Sequence, residues 1–104
     1  MKPSEPLTID SRLITNIKKL SRLAVGNPEA ERQLYLAITK LSEQERTELH
    51  ALYMLGRAGI RSYNVALASA RNQNPQHVAA TLAEKRNLAS CVNLGLRRHA
   101  RHLE

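Results

Sequence analysis

The 104-residue chain contains no Phe and no Trp, and its only aromatic residues besides histidine are Tyr35, Tyr53 and Tyr63. A core without large apolar rings has to be assembled from Leu, Ile, Val and Ala, and the abundance of Leu and Ala favours helices. The single cysteine, Cys91, excludes an internal disulfide. No segment joins a basic start, an apolar centre and a small-residue cleavage site, so secretion is not expected. No apolar run approaches the ~18 residues that span a bilayer, so a cytoplasmic protein without membrane association is expected. Strictly alternating apolar and polar runs are missing too, which removes the signal for strands. Glycine is scarce, with four residues, and no Gly-rich loop of the phosphate-cradling kind occurs.

What the chain does have is the length of one ordinary domain, enough to bury a core without disulfide or metal staples. It also has a basic balance, sixteen Lys and Arg against nine Asp and Glu, for a net charge of +7. The charge is uneven. Residues 57–104 hold eight Lys and Arg against Glu84 and Glu104, while the first 56 residues are close to neutral. Such a basic half raises the question of an anionic partner.

Along the chain, Met1 to Leu7 carries two prolines and no apolar period, and reads as a flexible tail (1–7) ahead of a single helical domain over 8–102. Leu13, Ile14, Ile17, Leu20 and Ala24 recur at helical spacing and predict a first helix from Asp10 to about Val25. Gly26-Asn27-Pro28 then supplies a stop, a cap and a first helical residue in succession. The helix that follows has an apolar face of Ala30, Leu34, Ala37, Ile38 and Leu41. Ser42 and Glu45 form a capping box that starts a third helix at Glu43, with Leu49, Leu52, Tyr53 and Gly56 on one face. Gly56 either ends that helix or lets another helix approach its backbone, and Gly59 three residues on favours an end. Ser62 caps a fourth helix to about Arg71, with Tyr63, Ala66, Leu67 and Ala70 inward. Asn74-Pro75 opens a short fifth. The sixth runs from about Arg86 to His99, with Leu88, Cys91, Val92, Gly95 and Leu96 inward. The expected fold class is therefore all-α, a compact bundle of about five or six short helices in one domain.

The run Leu41-Ser42-Glu43-Gln44-Glu45, then Glu48-Leu49-His50-Ala51-Leu52, then Gly56-Arg57, resembles a bacterial family of small helical proteins of unknown function. In that family the pattern is Leu-Ser-x-x-Glu, Glu-Leu-x-Ala-Leu and Gly-Arg, ending in an Ala-rich region and a helix with a late Gly like Gly95-Leu96. The resemblance extends from Leu34 to Leu96, about three fifths of the chain. It implies a small helical bacterial protein and no activity, substrate or cofactor. The basic stretch Arg97-Arg98-His99-Ala100-Arg101 departs from the family's more acidic tail.

No catalytic constellation emerges, and an enzyme is not expected. His99 and His102 stand three apart, but a metal site needs three or four ligands and no second cluster supplies them. Cys91 lies on the predicted inner face, where it acts as a small hydrophobe, and no Asp or Glu occurs between Glu48 and Glu84 to orient a base beside it. Glu43, Glu45 and Glu48 occupy the first turns of a helix, where carboxylates favour the dipole without acid–base work. His50 and His77 read as surface residues. Neither a cofactor nor a small-molecule substrate is expected.

Arg57 either bonds exposed helix carbonyls or a glutamate across the fold, or anchors an anionic group. Together with Arg61, Arg71, Arg86, Arg97, Arg98 and Arg101 it forms the candidate set for binding an anion or a partner. Two functional readings follow. The preferred one is a non-enzymatic protein-interaction or accessory module, whose partner is another protein or a second copy in a homodimer. The alternative is a nucleic-acid-binding protein that uses its basic C-terminal half. That alternative has little base-stacking surface, since Tyr63 is the sole Tyr in the basic half. A helix-turn-helix with Gly56 in the turn would place Ser62 where an aliphatic residue is required.

Overall fold

The computed structural model describes residues 5–57, 60–71 and 73–101, and in them six helices and no strand. They are α1 (Ser11–Ala24), α2 (Pro28–Thr39), α3 (Glu43–Arg57), α4 (Tyr63–Ala70), α5 (Pro75–Glu84) and α6 (Leu88–Arg101). The all-α class and the helix order expected from periodicity are both present.

Local chemistry explains most of the boundaries. Asp10 accepts from the Arg12 amide at 2.7 Å and starts α1. Gly26 takes the left-handed conformation, φ 72°, that ends the α1 region, and Asn27 then caps α2 by accepting from the Ala30 amide. Ser42 and Glu45 make the reciprocal pair of a capping box: the Glu45 amide donates to Ser42 Oγ at 3.1 Å and the Ser42 amide to Glu45 Oε1 at 2.9 Å. Ser62 and Asn74 cap α4 and α5 by accepting backbone amide hydrogens, from Val65 and from Gln76 and His77. Each such cap contributes about 1 kcal/mol, because it satisfies amides that have no intrahelical acceptor.

Packing is organised around α3. Its residues Leu49, Ala51, Leu52, Tyr53, Leu55 and Gly56 are all buried, so the second half of α3 is covered on more than one side while its first turns stay polar. Its main neighbour is α6. A Cβ added to Gly56 would run into the backbone carbonyl of Cys91, and one added to Gly95 would run into that of Leu52. The pairings descend in α6 as they rise in α3, so the helices are antiparallel and in backbone contact. Gly56 is therefore a point where α6 approaches the α3 backbone closely, the second of the two alternatives that the sequence leaves open, and it lies in the last turn of that helix. The helix ends one residue later, at Arg57.

Around this pair, α1 lies on α2 and α6, α4 on α3, and α5 on α2 and α3. The enclosed core contains Ile17, Leu34, Ile38, Leu49, Leu52, Leu55, Leu67, Leu82, Leu88 and Val92 with almost no exposed surface. Each such residue contributes on the order of 1.5–3 kcal/mol of transfer free energy. Tyr63, also fully buried, is the largest of these core residues.

Residues 1–4 of the stretch expected to be a flexible tail lie outside the described residues. Of the remainder, Leu7 packs on the core and Glu5 is hydrogen bonded to Asn64 of α4, to Arg71 just after it and to His99 of α6.

Candidate functional site

The most elaborate polar cluster in the described structure forms where residues 5–9 cross α3, α4 and α6. It centres on Glu48, one turn into α3 and only 1% exposed. A buried carboxylate is tolerated where donors surround it. Here the Thr8 amide donates to both Glu48 oxygens at 3.1 and 3.0 Å, the Thr8 hydroxyl to Oε1 at 3.0 Å and the Ile9 amide to Oε1 at 2.8 Å. Gln44, one turn earlier on α3, adds its side-chain amide to Oε2 at 3.2 Å. These are charge-assisted bonds, roughly twice as strong as neutral ones.

Glu5 is held at the other end of the segment. Its amide donates to Asn64 Oδ1 on α4 at 2.9 Å, and its carboxylate pairs with Arg71 at 3.3 Å. Its carbonyl lies 2.7 Å from Nε2 of His99. A carbonyl can only accept, so the bond requires the proton to sit on Nε2. His99 is 4% exposed, and its ring meets that of Tyr63 edge-on at 4.6 Å between centroids. The Tyr63 hydroxyl is buried without a hydrogen-bond partner. Burial, with the carboxylates of Glu48 and Glu5 nearby, pushes that hydroxyl well above the ordinary tyrosine value.

Neither Glu48 nor His99 is in the candidate set read from the sequence, where a metal role for His99 and acid–base work for Glu48 are set aside. Glu48 reads as a dipole-favouring acid, and His99 as part of a basic helix end; burial corrects both. A signal was present. Glu48, Leu52 and Gly56 are spaced four apart, as are Cys91, Gly95 and His99, so both polar residues continue the stripes that carry the two glycines. His102 lies outside the described residues. His77 is exposed, whereas His50 is half-buried with Nδ1 unpartnered, and burial lowers its pKa.

The seven candidate arginines occupy several elements. Arg98 donates to the Leu55 carbonyl at 2.6 Å, in the last turn of α3. Arg57 lies over the Tyr53 ring, 5.9 Å from its centroid. Arg71 is paired with Glu5, with both side chains 52% exposed. Arg61 is exposed in the segment before α4, and Arg86 is exposed between α5 and α6. Arg97 and Arg101 project from the last turns of α6, with Arg97 roughly 14 Å along the helix from its first residue. Three of the seven are thus engaged within the molecule, and no single helix or cleft gathers the set.

An open seam of about 420 Å³ separates the outer faces of α1 and α2. Leu13, Leu20, Leu36, Ala37 and Leu41 give it an apolar floor, and Asn16, Gln33, Lys40 and Glu45 complete its lining. Leu23, 53% exposed, continues the same stripe of α1. Among the described residues no three His, Cys, Asp or Glu side chains are grouped as metal ligands, and no helix is long and apolar enough to cross a membrane. Cys91 is buried.

Fold and site together describe a small all-α protein built on a glycine-mediated helix crossing, with its own N-proximal segment clasped at one end. Residues 31–100 match the model of a family described as "Protein of unknown function (DUF3775)", and the chain belongs to that family. The stretch Leu34 to Leu96, which carries the resemblance read from the sequence, falls wholly inside the match. No curated protein and no solved structure matches the chain. The matched residues include Glu48, Tyr63, Asn64, Arg71 and His99, and they exclude α1 and residues 5–9.

Proposed function

We propose that this protein is a non-enzymatic interaction module of the bacterial cytoplasm that receives a helical segment of a protein partner in the seam between α1 and α2. The observation that carries this reading is the seam itself, a row of leucines left open between two helices and bordered by polar side chains. Amphipathic helices dock in grooves of this kind, with aliphatic anchors at helical spacing. The non-enzymatic part draws on the use of the polar residues: Glu45 caps a helix, Glu48 holds a backbone segment, and Cys91 is buried.

The test replaces Leu20 and Leu36 separately by Asp in the full chain, after circular dichroism has established that helix content is unchanged. Co-purification and sedimentation velocity are then compared with the parent protein. A protein partner, or a second copy, that the parent retains and both variants lose supports the seam as the docking face. A parent protein that stays monomeric and retains nothing, or a partner kept equally by both variants, rules it out.

A further inference from the structure

We propose that the cradle formed by Glu48, Asn64, Tyr63, Arg71 and His99 is a binding site for a linear peptide segment, filled in this structure by the chain's own residues 5–9. The inference stands on a different surface from the α1–α2 seam and does not depend on it.

The contacts read like recognition of a peptide. Glu48 takes two successive backbone amides and one hydroxyl, a pattern that specifies a Ser or Thr and the residue after it. His99 and Asn64 take the carbonyl and amide of a residue three positions earlier, and Arg71 takes its carboxylate. Burial alternates between them: Pro6 and Thr8 are exposed, Leu7 is half-buried and Ile9 is buried. The chemistry selected is therefore an acidic residue, an aliphatic one two positions on, then Ser or Thr, then a second aliphatic.

Two observations separate this cradle from an ordinary packing contact. First, Glu48 is buried, yet apart from Gln44 its donors all come from the crossing segment. With the segment gone, the carboxylate needs replacement donors of the same geometry. Second, the resident segment satisfies the cradle incompletely: the Tyr63 hydroxyl, fully buried beside His99, has no acceptor. A partner segment with one further acceptor there would pair a donor that residues 5–9 leave unpaired. The outer half of the resident contact is also weak, since the Glu5–Arg71 pair is half-exposed and such pairs contribute little. Asp10 caps α1 directly after Ile9, which keeps the resident segment tethered beside its own cradle. The occupant is accordingly a segment of another protein.

The experiment uses the full chain and, as probe, a fluorescein-labelled peptide with the sequence of residues 2–10, followed by anisotropy. Thr8→Pro removes two of the three groups that the resident segment offers Glu48, leaving the Ile9 amide, and so shifts the equilibrium towards an emptied cradle while leaving its walls intact. The peptide should bind this variant at least about tenfold more tightly than the parent, whose tethered segment competes at high effective concentration. Adding Glu48→Gln to Thr8→Pro should weaken binding about tenfold or more, through loss of charge-assisted bonds. In the ¹⁵N-labelled parent, excess unlabelled peptide should speed hydrogen exchange at the chain's own Thr8 and Ile9 amides. Should Thr8→Pro not fold, Glu5→Ala, which loses a half-exposed ion pair, takes its place with a smaller gain in the same direction. Binding no tighter to the emptied variant than to the parent overturns the proposal. So does binding indifferent to Glu48→Gln, and so does a parent dimer that Thr8→Pro dissolves, which would make the segment an exchange element between copies.

Discussion

Gly56 and Gly95 are counterparts across the α3–α6 crossing: each lies against a backbone carbonyl of the other's helix, Gly56 on Cys91 and Gly95 on Leu52. In each helix the contacted residue lies four positions before the glycine, so the contact is reciprocal. A methyl group at either glycine would overlap backbone, which cannot rotate away as a side chain can. Gly56→Ala and Gly95→Ala should therefore each destabilise the fold by about 3 kcal/mol or more from overpacking, outweighing the gain of about 1 kcal/mol in helix propensity. Gly26→Ala provides the contrast, with open space around the new methyl but a left-handed φ, and should cost about 1–2 kcal/mol. Urea unfolding midpoints of the three variants check the order; a Gly56→Ala protein as stable as the parent would contradict the close approach.

Arg97 and Arg98 are neighbours with different surroundings. Arg98 satisfies the Leu55 carbonyl, and its replacement by Ala should cost about 1–2 kcal/mol. Arg97 is exposed, and Arg97→Ala should stay within about 0.5 kcal/mol of the parent. Thermal melts of the two variants, run side by side, give the comparison; equal losses would mean that the contact to Leu55 contributes nothing.

Tyr63→Phe removes a hydroxyl that is buried and unpaired while keeping the ring that meets His99. Deleting an unsatisfied polar group should leave stability unchanged or raise it by up to about 1 kcal/mol. A loss of more than that, measured by denaturant titration, would show that the hydroxyl has a partner.

His50 is half-buried, and burial holds its pKa below the ordinary histidine value. The unfolded chain then binds a proton at higher pH than the folded one does. This histidine's contribution to stability is thus fully present above about pH 6.5 and declines as pH falls towards the lowered folded value. His50→Gln should flatten that part of the curve of stability against pH between about 7 and 5. An identical slope in parent and variant would assign the dependence to other groups.

Much of the architecture was legible because it is set by local chemistry. The box of Ser42 and Glu45, the Asn-Pro starts at 27–28 and 74–75, and the apolar spacing of Ile14, Ile17, Leu34 and Ile38 each act within a few residues. The candidate site was much less legible. Arg57, Arg71 and Arg98 were grouped by charge, yet the structure turns them to a ring, a glutamate and a carbonyl on separate elements. Glu48 reads as a dipole-favouring acid and His99 as part of a basic helix end because helical spacing identifies a face without saying whether that face is covered.

The sequence by itself determined the all-α class, a bundle of about five or six helices with caps at Asn27, Ser42, Ser62 and Asn74, and the membership of a family over residues 31–100, since periodicity, capping and motif are properties of neighbouring residues. Only the tertiary structure decided that α6 meets the backbone at Gly56, that Glu48 and His99 are buried at one end of that crossing, and that residues 5–9 are what they hold. Those outcomes depend on which helices meet, antiparallel and at backbone contact. Contacts between residues forty to ninety-four positions apart carry no local signature, because their energy arises only after the chain has closed on itself.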